Sequence, residues 1–156
     1  MKLILGIDPG FSFTGFACVI QQLQRTELID CGVIKLPHSK SLASRTHLFY
    51  DFFKEKIEQK KITNLALETS FLGKNSQSFL KLGYLRGVLY LLSSQHNLAL
   101  HEFAPMQVKG AVTGSGNAPK EQVARVIHQL FPRLPQQKTL DVTDAIAVAL
   151  CCAWKK

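Results

Sequence analysis

Acidic residues are scarce in this sequence: eleven Asp and Glu stand against nineteen Lys and Arg, leaving a net charge of +8. Metal-binding cysteine patterns are missing. Cys18, Cys31, Cys151 and Cys152 show no C-x-x-C spacing, and the adjacent pair cannot easily present both sulfurs to one tetrahedral zinc, so buried free thiols in a reducing compartment are expected. The five histidines, His38, His47, His96, His101 and His128, fall into no HxH or HxxxH pattern and read as surface or core residues. No apolar run approaches the roughly twenty residues of a membrane span, and Met1-Lys2 leads straight into an apolar stretch without a signal-peptide pattern. A cytoplasmic protein with no membrane association is expected. Pro/Gly/Ser linkers, repeats and low-complexity blocks are also lacking, so residues 1–156 are expected to form one domain with a sizeable core.

What is there reads as an α/β chain. Residues 3–8, 14–21 and 27–36 form three apolar runs whose short connections favour antiparallel neighbours. The spacing of Leu42, Phe49, Phe53 and Ile57 predicts a helix over 41–59, with Lys54, Glu55, Glu58 and Lys60 outward. A strand over 62–68 follows, then a helix over 76–94 with Leu82, Leu85, Leu89 and Leu92 on one stripe. In that helix Gly83 and Gly87, four apart, would permit close approach of a neighbouring backbone. A strand over 97–103, a loop at GSGNAP, a helix over 119–130 and a last helix from about Thr139 complete the expected order.

The few acids are placed unevenly. LILGID and ITNLALE are apolar runs that each end on a carboxylate, Asp8 and Glu68, and in open α/β sheets ligand groups sit at the carboxyl ends of strands. The last helix opens LDVTDAIAVAL, in which Asp141 and Asp144, three apart, share one face. Singly, each has a plainer reading: Asp8 as a turn former before Pro9-Gly10, Glu68 as a solvated strand end, the aspartates as favourable charges in a first helical turn. Together they are harder to dismiss. Four carboxylates brought to one place cannot all ionise without cations, and all-oxygen ligation selects magnesium or manganese. Two such ions roughly 3.5–4 Å apart would support phosphodiester hydrolysis, and the basic remainder of the surface suits a polyanion.

At this point GIDPG with Thr14-Gly15, ALETSFLGKNSQSFLKLGYLRG, KGAVTGSGNAPKEQV and LDVTDAIAVAL, taken in order, resemble the RuvC family of bacterial Holliday junction resolvases. The resemblance implies a ribonuclease H-like fold, with a mixed five-stranded sheet flanked by helices. It implies a homodimeric endonuclease, using two Mg2+ ions per site with Mn2+ as a substitute, that nicks opposing strands of four-way junction DNA in recombination and repair. It implies the branch-migration proteins RuvA and RuvB as partners, and Asp8, Glu68, Asp141 and Asp144 as the catalytic, metal-binding set. Phe71 would reach into the opened junction, and Lys109 and Lys120 would lie close to both DNA and catalytic carboxylates. Thr69, where the family usually has Gln, and Phe79, where it usually has Ala, depart from the pattern.

The other basic residues are read from position alone. Lys74 shares a polar loop with Phe71 and is preferred as a DNA contact, whereas Lys81 and Arg86 either meet DNA or solvate a helix face. Three alternatives stay in view. An actin-like ATPase is disfavoured by size, and a non-catalytic DNA-binding protein by the four carboxylates, which would repel phosphate if no metal were present; a related nuclease cutting another nucleic acid, such as an RNA hybrid, remains.

Overall fold

The architecture is that of a computed structural model, which describes residues 1–23, 25–69, 76–135 and 140–155. Among these residues, β1 (Lys2–Asp8), β2 (Phe13–Gln22) and β3 (Arg25–Lys35) form an antiparallel meander. Helix α1 (Leu42–Lys60) then returns the chain so that β4 (Asn64–Glu68) runs parallel to β1, and α2 (Ser76–Gln95) does the same for β5 (Ala99–Phe103) beside β4. The sheet is mixed, in the order β3-β2-β1-β4-β5. Three helices close the chain: α3 (Pro105–Thr113), α4 (Lys120–Leu130) and α5 (Asp141–Trp154).

Helix α3 is absent from the sequence reading. Its marks are present in retrospect: Pro105 opens the helix, Val108 and Val112 lie four apart on its buried side, and Gly114 ends it in the left-handed conformation at φ 78°. Pro119, expected inside the first turn of the next helix, is instead its N-cap residue, so that Lys120 begins α4.

Each sheet face meets a different core. On one side α1 and α2 contribute Phe49, Phe53, Ile57, Leu85, Leu89 and Leu92 against Leu5, Ile7, Leu65 and Leu67. Leu42, expected on that stripe, is 47% exposed in the first turn of α1, and Arg45 takes the buried position one turn later. Leu82 is only half-buried. On the other side lies α5, buried from Ala145 to Ala153, with α3 and α4 packed against it. Cys18, Cys151 and Cys152 are buried and Cys31 half-buried, all as free thiols.

Helix α5 comes unusually close to the sheet. A Cβ added to Gly6 would stand 2.5 Å from the Ala145 carbonyl oxygen, and one added to Gly15 would stand 2.0 Å from that of Asp141. Those glycines set the helix directly on β1 and β2, with its first turn over the carboxyl end of β1. Within the chain no neighbouring backbone comes up to Gly83 or Gly87: a Cβ at either meets nothing within 4 Å.

Candidate active site

The parallel pairing of β1 with β4 aligns Ile7 with Leu67, so the next residues, Asp8 and Glu68, leave adjacent strands at the same edge. Antiparallel pairing sets Asp8 against Gly15 on its other side. Because α5 rests on Gly6 and Gly15, the first turn of that helix delivers Asp144 to the same place. Asp8, Glu68 and Asp144 line one cavity of about 160 Å³, together with Lys109 from α3 and Lys120 from α4. Asp141, half-buried against Gly15, lies at the margin and acts on Asp8 through its charge.

Electrostatics register this crowding. The Asp8 carboxyl is pushed up from 3.8 to about 7, chiefly by burial and then by repulsion from Asp144, Glu68 and Asp141, against the opposing pull of Lys120. Glu68 is also raised, chiefly by burial and next by Asp144, against the opposing charges of Lys120 and Lys109. Lys120 donates to Asp144 Oδ2 at 2.6 Å, and that bond holds its ammonium more firmly protonated than usual.

The donors are hard carboxylate oxygens whose mutual repulsion a divalent cation would relieve, which is the chemistry that magnesium and manganese require. In the arrangement present, among the described residues, no three Asp, Glu, His or Cys side chains are grouped closely enough to hold an ion. The Lys120 ammonium partners Asp144 instead.

The loop after Asp8 is itself anchored. Thr14 Oγ1, fully buried, donates to the Gly10 carbonyl at 2.8 Å and accepts from the Gly10 amide at 3.1 Å. The buried Arg45 donates to the Phe11 carbonyl and lies over the Phe11 ring at 4.0 Å.

Comparison with known proteins decides the family. The family model described as "Crossover junction endodeoxyribonuclease RuvC" matches residues 4–152. This chain belongs to the RuvC family. Its relatives of that name include one from Chlorobium phaeobacteroides, 45% identical over 149 residues, covering 96% of this chain and 80% of the relative. Another, from Heliobacterium modesticaldum, is 36% identical, with 97% of this chain and 93% of the relative covered. Among solved structures, RuvC of Thermus thermophilus in complex with a Holliday junction substrate superposes with a TM-score of 0.90 at 24% identity, covering 99% of this chain and 94% of that one. That likeness bears on the fold, and the fold is the ribonuclease H-like one expected of the RuvC family.

Within this RuvC-family framework the sequence-derived candidates separate. Asp8, Glu68, Asp144, Lys109 and Lys120 are brought together in one cavity. Lys81 is exposed on α2, with Nζ 5.9 Å from the Phe11 ring centre. Phe71 and Lys74 lie outside the described residues. Arg86 departs from both readings offered for it, since it neither solvates a helix face nor is free to meet DNA. It is 8% exposed, and it donates to the Glu68 carbonyl at 2.7 Å and to the Glu102 carboxylate. The reason is its stripe: Leu85, Leu89 and Leu92 face the sheet, and Arg86 sits at the edge of that face where β4 and β5 end. Arg45 and Glu102 went unnoticed in the sequence because a helical arginine and a strand glutamate read as ordinary surface residues.

Proposed function

We propose that this chain resolves four-way DNA junctions by nicking two opposing strands, with the site at the ends of β1 and β4 as its catalytic centre. The carrying observation is the convergence of Asp8, Glu68 and Asp144 with Lys109 and Lys120 in one small cavity of a RuvC-family chain. Asp8, Glu68, Asp141 and Asp144 would hold divalent cations, Mg2+ in the first place, two per site, with Mn2+ as a substitute. Such ions, when bound, supply an activated water and stabilisation of the leaving oxygen in an in-line displacement.

The chain's own groups do the rest. Lys109 and Lys120 face the carboxylates from α3 and α4, where their ammonium groups bind the scissile phosphate and offset the charge that grows on it. Release of Lys120 from Asp144 to the phosphate exchanges one anionic partner for another. Phe71 stacks on an unpaired base and Lys74 and Lys81 bind flanking phosphates. Arg86, being buried, is withdrawn as a DNA contact.

Two opposed nicks need two sites, and α2 carries a face suited to a homodimer. Leu80, Tyr84 and Leu91 are 56%, 41% and 50% exposed along one stripe, and Gly83 and Gly87 leave that surface open to a second copy. RuvA and RuvB, implied by the family resemblance, are the proposed partners in branch migration, and the cytoplasm, which holds the DNA, is the proposed compartment.

A labelled synthetic four-way junction, incubated with and without Mg2+ beside a plain duplex and an RNA–DNA hybrid, tests this function. Symmetric nicking of the junction alone, only with metal, is expected. Preferential cutting of the hybrid would transfer the site to another substrate, and metal-independent nicking would remove the carboxylates from the mechanism.

A further inference from the structure

Arg86 is the strongest feature of the molecule that the proposed chemistry does not use. Its guanidinium, on α2, is buried at a helix–sheet boundary where the same helix otherwise presents leucines. Packing alone does not require it: taking a guanidinium out of water is costly, and an apolar residue of similar volume at such a position is often as stable or more so. Its partners suggest why a cation stands there. Nη1 donates to the main-chain carbonyl of Glu68 at 2.7 Å, and Nη2 to Glu102 and, at 3.3 Å, to the Tyr90 hydroxyl. That hydroxyl in turn donates to Glu102 Oε1 at 2.9 Å. Glu102 is the β5 residue paired with Leu67, one position before Glu68 on β4.

Glu68 is the last residue of β4, and the next amide, that of Thr69, donates to the Phe103 carbonyl at 2.8 Å. The peptide linking Glu68 to Thr69 is therefore held at both ends, by β5 through its N–H and by Arg86 through its oxygen. Its plane sets the direction in which the Glu68 side chain leaves the backbone. A planar guanidinium, with donors fixed in a fork, can hold a carbonyl and a carboxylate at once in a single geometry; an ammonium cannot.

We propose that Arg86 is a positioning residue for Glu68: braced by Tyr90 and Glu102, it fixes the end of β4 so that the Glu68 carboxylate is presented to a divalent cation beside Asp8. This rests on the reading of Glu68 as a metal-holding carboxylate. Arg86 touches neither substrate nor cation; it acts through the backbone, as residues behind a metal's direct ligands commonly do, and loss of such support typically costs about 10- to 100-fold in metal affinity or activity.

The test uses the full chain and the variants Arg86→Lys, Tyr90→Phe and Glu102→Gln. Four measurements are made on each: melting temperature, Mn2+ binding by calorimetry, junction binding in Ca2+, and junction nicking across a Mn2+ titration. Arg86→Lys is expected to remain folded and to bind the junction as the parent does, while Mn2+ affinity falls about 10-fold or more. Tyr90→Phe, at an exposed ring, removes a brace on Arg86 and Glu102 and leaves the Arg86–Glu68 bond in place, so it should shift Mn2+ affinity in the same direction by only about 3-fold. Glu102→Gln should fall between the two. Parental Mn2+ affinity in a folded Arg86→Lys protein overturns the proposal. If that variant does not fold, unchanged Mn2+ affinity in both Tyr90→Phe and Glu102→Gln overturns it equally. A parent chain that binds Mn2+ but never nicks the junction sinks the resolvase reading, and weakened Mn2+ binding in the variants would still support the positioning role.

Discussion

On one face of the sheet, α5 lays Asp141, Ala145 and Ala149 against strands that carry Gly6 and Gly15; on the other, α1 and β2 lay Phe49, Phe52, Phe53 and Phe16 edge to face at 4.7–6.3 Å. Both faces bury apolar surface, yet the carboxylates of the proposed site, with Lys109 and Lys120, gather on the small-residue face. Small residues let helix and sheet backbones approach closely, and closeness puts the first turn of α5 beside the end of β1. The aromatic face needs bulk, and its helices keep their distance. Packing that serves geometry and packing that serves stability are thus separated across one sheet.

The largest expected break in that comparison is Asp8→Asn, which keeps the shape of the small-residue face and removes one charge. Junction nicking should fall at least about 1,000-fold with junction binding retained, measured by gel shift and cleavage on the same preparation. Nicking at the parental rate would detach the site from the reaction.

Gly15→Ala sharpens the comparison. The new Cβ would meet the Asp141 carbonyl oxygen at 2.0 Å, so α5 must shift and carry Asp141 and Asp144 with it. A displacement on that scale should cost turnover on the order of 100-fold. Phe53→Ala, on the other face, should cost about 3–5 kcal/mol of stability by denaturant titration while leaving turnover per folded molecule unchanged. Equal effects of the two on turnover would erase the distinction between the faces.

A smaller effect follows from proton uptake. Asp8 titrates near 7 in the folded, metal-free site and near 3.8 when unfolded, and Glu68 is displaced in the same direction. Between those values the folded chain binds more protons than the unfolded one, so stability must fall as pH rises through that window. In EDTA the melting temperature should therefore decline from about pH 4 to about pH 7, and the stabilisation on adding Mg2+ should grow over the same range. Asp8→Asn should flatten both trends. A rise in melting temperature with pH in EDTA would contradict the carboxylate crowding.

Least of all, Lys81→Ala should weaken junction affinity severalfold and lower the slope of log affinity against log salt by about one, as expected for a single lost phosphate contact. An unchanged slope would assign Lys81 to Phe11 alone.

The sequence by itself determined the carboxyl ends of β1 and β4 and the element order apart from α3, because those are local matters: an apolar run that stops on a carboxylate, a connection too short for anything but an antiparallel return, a helix apolar on every side. Asp8, Glu68 and the Asp141–Asp144 pair were legible for that reason, and the family blocks placed Lys109 and Lys120. Only the tertiary structure decided which glycines matter. Gly83 and Gly87 have a helix-contact spacing but face open space, while Gly6 and Gly15, inconspicuous in their strands, seat α5. It also decided that Lys120 pairs with Asp144, and that Arg86 and Arg45 are buried. A charged side chain on a helix is written identically whether it meets water or a carbonyl. For Arg86 the acceptors lie 18 and 16 residues away, at the ends of β4 and β5, and only the closing of the parallel strand pair brings them within reach.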